Sequence, residues 1–198
     1  MESADIKKLF RLEGQEISEL GNNLDLDKFQ SIINLINKRH GNIFVAGCGT
    51  SAMAAKKIVH TFNVISESAF YLNPSDAVHG GLGAVRSEDL VIIISKGGNT
   101  KELLSFIPSL KEKKAKIIAI TENSESFIGK ASDFLLRVHV DKELDKYNML
   151  ATASTMAVIS VFDVMAVILM ETEQFSETQF LMNHPSGAVG QRLRRDVN

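Results

Sequence analysis

Val45-Ala46-Gly47-Cys48-Gly49-Thr50-Ser51 decides how this chain reads, and Ser95-Lys96-Gly97-Gly98-Asn99-Thr100 echoes it. In both, an apolar run (Asn42 to Ala46, then Leu90 to Ile94) breaks into glycines and hydroxyl residues. A helix-compatible segment follows each, Ala52 to Phe62 and Lys101 to Lys114. The pattern is strand, small-residue turn, helix, twice over. Glycines let backbone N–H groups approach a ligand closely, and the start of a helix favours an anion. One such loop alone is accounted for by a tight turn between strand and helix. Two, both carrying hydroxyls, point to a site. We therefore expect Gly49, Thr50 and Ser51 to face Ser95, Gly97, Gly98, Asn99 and Thr100 as two walls of one phosphate site. Ala52 stands where a dinucleotide fingerprint needs its third glycine, and no Gly-Lys-Ser/Thr closes a nucleotide-triphosphate loop. A small phosphorylated molecule is the anion that remains.

The bulk composition narrows the class. A length of 198 residues fits one domain with a proper core. Hydrophobic content of 44% beside 23% charged residues is that of a globular protein, and a net charge of −2 offers no footprint for nucleic acid. The opening Met1-Glu2-Ser3-Ala4-Asp5 is too acidic for a secretory signal. The longest apolar run, Met156 to Met170, is interrupted by Ser160 and Asp163, so no membrane span is expected. The lone Cys48 has no intrachain partner, which fits a reducing cytoplasm. No spacing of His, Cys and carboxylates specifies a metal, and no cofactor is expected.

Along the chain, apolar stripes at Ile6 to Leu20 and Asp25 to Asn37 predict two leading helices joined by a turn at Gly21-Asn22-Asn23. Strands are expected at Asn42–Ala46, Ala69–Leu72, Leu90–Ser95, Lys116–Thr121 and Phe134–Val140. Helices are expected over Ala52–Phe62, Lys101–Lys113, Ser126–Ala131 and Ala151–Met170, with a short helical turn from Ser75. Asp141 to Leu150 reads as loop, Phe175 to Phe180 as an amphipathic tail, and His184 to Gly190 as a turn. Arg192 to Arg195 end the chain as a cluster of positive charge, read as solvated. Alternating strands and helices imply an α/β fold, a three-layer αβα sandwich around a parallel sheet, with ligands at the carboxyl ends of the strands. The whole of 1–198 reads as one domain, residues 1–40 leading and 41–198 forming the sheet core.

These residues resemble the sugar isomerase (SIS) domain, and within it the bacterial arabinose-5-phosphate isomerases. The likeness runs from about Gly41 to Leu193. It is strongest at Pro74-Ser75-Asp76-Ala77-Val78-His79-Gly80-Gly81-Leu82-Gly83 and at His184-Pro185-Ser186-Gly187-Ala188-Val189-Gly190-Gln191-Arg192-Leu193. The resemblance implies a five-stranded parallel sheet, flavodoxin- or Rossmann-like, and a homotetramer or dimer with sites between subunits. It implies phosphate held by the hydroxyls of Ser51, Ser95, Thr100, Thr152, Ser154 and Thr155. The sequence also departs from that pattern. Thr50 stands for a lysine and Asn99 for a glutamate, while Lys96 is a new cation in the second loop. The sequence runs only five residues past the signature, so the paired CBS modules that follow many such isomerases are not expected.

Aldose–ketose isomerisation moves a proton between adjacent carbons through an enediol and needs an acid and a base. By resemblance, His79 is expected to assist ring opening, and His184 and Glu143 to share the proton transfer. By itself Glu143 reads as a solvated loop charge and His79 as a loop residue capping backbone. His40, His60 and His139 carry no supporting motif and read as structural or surface residues. The rival reading is a phosphosugar-binding module without turnover, which Thr50 and Asn99 favour. A transcription regulator ranks last, because the forty residues before the first strand are too few and too acidic to read DNA.

Overall fold

The computed structural model describes residues 3–196. Two leading helices, α1 (Ser3–Ser18) and α3 (Leu26–Lys38), flank a helical turn, α2 (Leu20–Asn23), where a plain turn was expected. Then come β1 (Ile43–Gly47), α4 (Thr50–Val64), β2 (Ala69–Tyr71), α5 (Pro74–Ala77) and a 3-10 turn at Gly81–Ala84. They are followed by β3 (Leu90–Ile94), α6 (Lys101–Leu104), α7 (Ile107–Glu112), β4 (Lys116–Thr121), α8 (Phe127–Ala131) and β5 (Phe134–Arg137). The long α9 (Ala153–Thr172) precedes α10 (Glu177–Asn183) and α11 (Gly187–Asp196).

The five strands make one parallel sheet in the order β2-β1-β3-β4-β5. All five residues of β1 and all five of β3 are buried, as a sheet covered on both faces requires. Side chains alternate across the pleat. Ile43, Val45, Leu90, Ile92 and Ile94 join α3, α4 and α9 in one core. Phe44, Ala46, Val91 and Ile93 join α5, α6, α7 and α8 in the other. Each such side chain contributes about 1.5–3 kcal/mol on burial, so the two cores together fix the register of the sheet. At the opposite edge from the loops, Arg39 after α3 forms an ion pair with Glu67, which is 2% exposed. Burial pushes the Glu67 carboxyl up, against the pull of the Arg39 guanidinium.

Three expectations are corrected, and a fourth element passes a membrane test by length and composition alone. The segment Lys101–Lys113 is two helices, because Pro108 has no N–H to donate to the Leu104 carbonyl and its ring crowds that turn. The last strand stops at Arg137, although Val138 and Val140 continue into the core. Gly187 to Gly190 are the first turn of α11, so the turn is confined to residues 184–186. Finally, α9 spans 20 residues and, at a mean hydropathy of 2.1, is long and apolar enough to cross a membrane. Here it lies along α4 and buries Ala153, Ala157, Val161, Phe162, Met165, Ala166 and Leu169 in the first core.

Candidate active site

In a parallel sheet of order 2-1-3-4-5, the connections leaving β1 and β3 run in opposite directions, and a crevice opens between their loops. Gly47 is in register with Ile94, and Ile94 with Ile120, so the two glycine loops and Thr121 leave the sheet side by side. Gly47 is a packing requirement. A Cβ there would stand 2.7 Å from the Ser51 carbonyl oxygen, so only glycine lets the first turn of α4 sit so close to β1. No side chain caps α4; the Ala52 N–H turns back to the Gly49 carbonyl at 3.0 Å, and the helix starts directly at the carboxyl end of β1.

The second loop folds on its own hydroxyls. Ser95, 5% exposed, shares a 2.9 Å hydrogen bond with Thr100 and accepts one of 3.1 Å from the Gly98 N–H. Gly98 adopts φ +66° and accepts a bond from the Ile128 N–H, tying the loop to α8. Asn99 turns the same way, its Oδ1 accepting from the Phe127 N–H at 3.1 Å. Beneath the loops, Ser51, Lys96, Thr121, Ser154 and Thr155 line a recess of about 50 Å³, with Ile94, Ile120 and Val158 as its apolar floor. Such a volume suits a tetrahedral anion or a few waters.

Glu143 closes this region. The loop after β5 brings its carboxylate to the start of α9, where it accepts from the Thr152 N–H at 2.9 Å, the Thr152 hydroxyl at 3.1 Å and the Ser154 N–H at 3.2 Å. The Ser154 hydroxyl donates to it as well. Lys96 Nζ completes the set at 2.7 Å. Burial alone would push this carboxyl up. The hydrogen bonds from Lys96, Ser154 and the α9 backbone outweigh it and hold the pKa at about 2. Thr152 and Ser154, expected to hold phosphate, thus spend their hydroxyls on the protein's own carboxylate, and Thr155 donates to the Ala151 carbonyl at 3.3 Å.

The histidines fall elsewhere. His79 is exposed in the turn after α5, outside the lining of the recess. His184 stacks on Phe180, with ring centroids 5.5 Å apart, in a hollow lined by His60, Val64, Ile65, Ala166 and Met170. Its Nδ1 is buried without a partner among the described residues. That hollow lies at the far end of α4, a helix of 15 residues and so about 20 Å from the glycine loops. One chain does not bring Glu143 and His184 together.

Two features escaped the reading of the sequence. The direction of Lys96 could not be read, because its partner lies 47 positions away. His139 is held between Glu122 at 3.4 Å and Asp141 at 3.2 Å, with Glu122 supplied by the end of a different strand. Cys48 packs against the second core, and its thiol is pushed up by burial and by Glu102.

Residues 35–168 match the family model of the SIS domain. The chain belongs to the SIS domain family. Its relatives include the arabinose 5-phosphate isomerase KdsD of Francisella tularensis, 34% identical over 93% of this chain and 57% of that protein. This SIS chain therefore spans less than two thirds of the length of such curated relatives. A Listeria monocytogenes protein proposed to be a sugar-phosphate isomerase superposes with a TM-score of 0.91 at 46% identity, covering 94% of this chain and all of that one. The c3406 protein of Escherichia coli CFT073, solved in complex with arabinose 5-phosphate, superposes with a TM-score of 0.88 at 30% identity, over 93% of this chain and all of that one.

Proposed function

We propose that this SIS chain is a phosphosugar aldose–ketose isomerase, acting on arabinose 5-phosphate and ribulose 5-phosphate through an enediol. The observation that carries the reading is the buried Glu143 carboxylate, bonded to Lys96 and Ser154, two residues that line a hydroxyl-rich recess at the β1/β3 switch point. The arabinose 5-phosphate isomerase relatives and the sugar-phosphate complex of c3406 support the choice of substrate. In this scheme the phosphate sits on Ser51, Ser95, Thr100 and the start of α4, since Thr152 and Ser154 serve Glu143. The carbonyl end of the open sugar reaches Glu143. His184 reaches the site from a second copy of the chain, and His79 assists ring opening. The protein works as a homo-oligomer in the cytoplasm, without cofactor, and its partner is the phosphosugar and neither nucleic acid nor membrane.

Proton–deuterium exchange by NMR tests this. In D2O, label should enter beside the carbonyl of ribulose 5-phosphate and arabinose 5-phosphate, and not of glucose 6-phosphate or fructose 6-phosphate. A phosphosugar-binding module without turnover is the second reading. The full hydrogen-bond complement of Glu143 favours it, because a carboxylate with a pKa of about 2 is a weak base. Binding of these sugars without exchange of label would select that reading.

A further inference from the structure

We propose that Lys96 is a catalytic residue of this site: its ammonium leaves Glu143 for the carbonyl oxygen of the open sugar, uncovering the base and stabilising the enediolate in one movement. The proposal rests on the isomerase reading above.

The first ground is the state of the carboxylate. Glu143 accepts from the Thr152 N–H and hydroxyl, the Ser154 N–H and hydroxyl, and Lys96. Oε2 takes three of these donors and Oε1 the other two, the Ser154 hydroxyl and Lys96, so both oxygens are filled while Lys96 is in place and its withdrawal frees a lone pair on Oε1. The other four donors are the N–H and hydroxyl groups of Thr152, which caps α9, and of Ser154 in its first turn, all short groups carried at the start of the helix. Lys96 reaches Glu143 from another loop on a long side chain, and it is the donor that can withdraw. Its side chain is 40% exposed while that of Glu143 is 1% exposed.

The second ground is how Lys96 is mounted. Its carbonyl accepts from the Thr121 hydroxyl at 2.9 Å and from the Glu122 N–H at 3.1 Å, so the backbone is braced by the end of β4. The four-carbon stem is free above a fixed root. Among the side chains lining the recess, Lys96 is the one cation. The phosphate walls are neutral hydroxyls and backbone N–H groups, leaving that charge for the reacting end of the sugar.

The third ground is chemical. Glu143 removes the proton from C2 of the aldose, the C–H pair becomes the C1–C2 double bond, and the carbonyl pair moves to O1. Negative charge therefore appears on O1, carried by the carbon next to the one that Glu143 deprotonates. A cation 2.7 Å from the base is within reach of that oxygen. Glu143 then returns the proton to C1 while the O2 proton passes to O1, and the ketose is formed with all atoms accounted for. A donor aimed at a developing oxyanion contributes more in such a half-buried site than in water.

Lys96→Met and Lys96→Arg test this, with arabinose 5-phosphate as substrate and inorganic phosphate as a competing anion. Loss of an oxyanion donor costs about 10²–10³-fold in turnover, so Lys96→Met should lose label incorporation and kcat on that scale. Inhibition by inorganic phosphate should be unchanged. The acid limb of the kcat/KM profile, which reports the free enzyme, should move to higher pH in any residual activity, because Glu143 has lost its ammonium. Lys96→Arg should recover part of the rate, and matching thermal melts would show that both variants are folded. Phosphate inhibition that weakens in step with kcat would make Lys96 a phosphate ligand and overturn the proposal. So would turnover by Lys96→Met at the wild-type rate. A wild-type protein that exchanges no label removes the isomerase reading and this proposal together, whereas an active wild type with an equally active Lys96→Met removes this proposal alone.

Discussion

Glu143 illustrates what one buried carboxylate does for both fold and site. It anchors the loop after β5 to the start of α9, satisfying the N–H groups of Thr152 and Ser154 that the helix leaves unpaired. Negative charge at a helix start is favourable there, and Lys96 adds to it. The consequence for stability has a definite sign. The folded pKa, about 2, lies below the ordinary 4.5, so the unfolded chain binds the proton more readily. The stabilisation is complete above pH 4.5 and disappears as pH falls through 2. In full it would be about 3 kcal/mol, and solvent around half-exposed Lys96 screens this to roughly 1–2 kcal/mol. Denaturant titrations of the wild type should therefore show stability falling between about pH 4.5 and 2. Glu143→Gln should be less stable at pH 7 and lose most of that slope. An unchanged slope in the variant would mean that other carboxylates carry it. None of this could be read from the sequence, where Glu143 stands among Lys142, Asp145 and Lys146 as an apparent solvated charge.

At the scale of elements, legibility followed burial. Ile43–Gly47 and Leu90–Ile94 announce themselves because a strand covered on both faces must be apolar throughout. The glycine loops were legible for a related reason, since Gly47 has to admit the first turn of α4. Gly47→Ala should push that turn off β1. Overpacking of this kind costs about 1–3 kcal/mol. Because Ser51 is carried on the same turn, weaker inhibition by inorganic phosphate should accompany the loss of stability, and phosphate affinity that stays constant would detach the α4 start from the anion site. Where side chains meet across the sheet the sequence is mute. His139 alternates with Val138 and Val140 like any surface residue, yet Glu122 and Asp141 bracket it from two different loops. The break at Pro108 was visible in principle, but the flanking apolar spacing of Leu103, Leu104, Ile107 and Leu110 masked it.

At the scale of the whole molecule, the chain carries its proposed catalytic groups at two ends. Glu143 lies at the start of α9 and His184 against residues 166–170 near its other end, with about 1.5 Å of rise per residue between them. The exposed side of α9 and α4 is apolar: Met156, Val164 and Val167 stand 40–55% exposed, beside Met53 at 56%. Exposed apolar surface of this kind is what an interface between copies buries. A second copy seated there would carry its own His184 towards the first copy's crevice, and the two half-sites would become one. Subunit mixing decides the matter. Glu143→Gln and His184→Ala should each be inactive alone, for the reasons given above. Unfolded together and refolded, they should regain activity, because a hybrid holds one site in which both residues are intact. Sedimentation velocity should show oligomers for each variant, so that loss of assembly is not mistaken for loss of chemistry. If the mixture stays inactive while hybrids form, both residues must act from the same chain, and the segment from Ser176 to Gly190 would have to leave its place on α4 to do so.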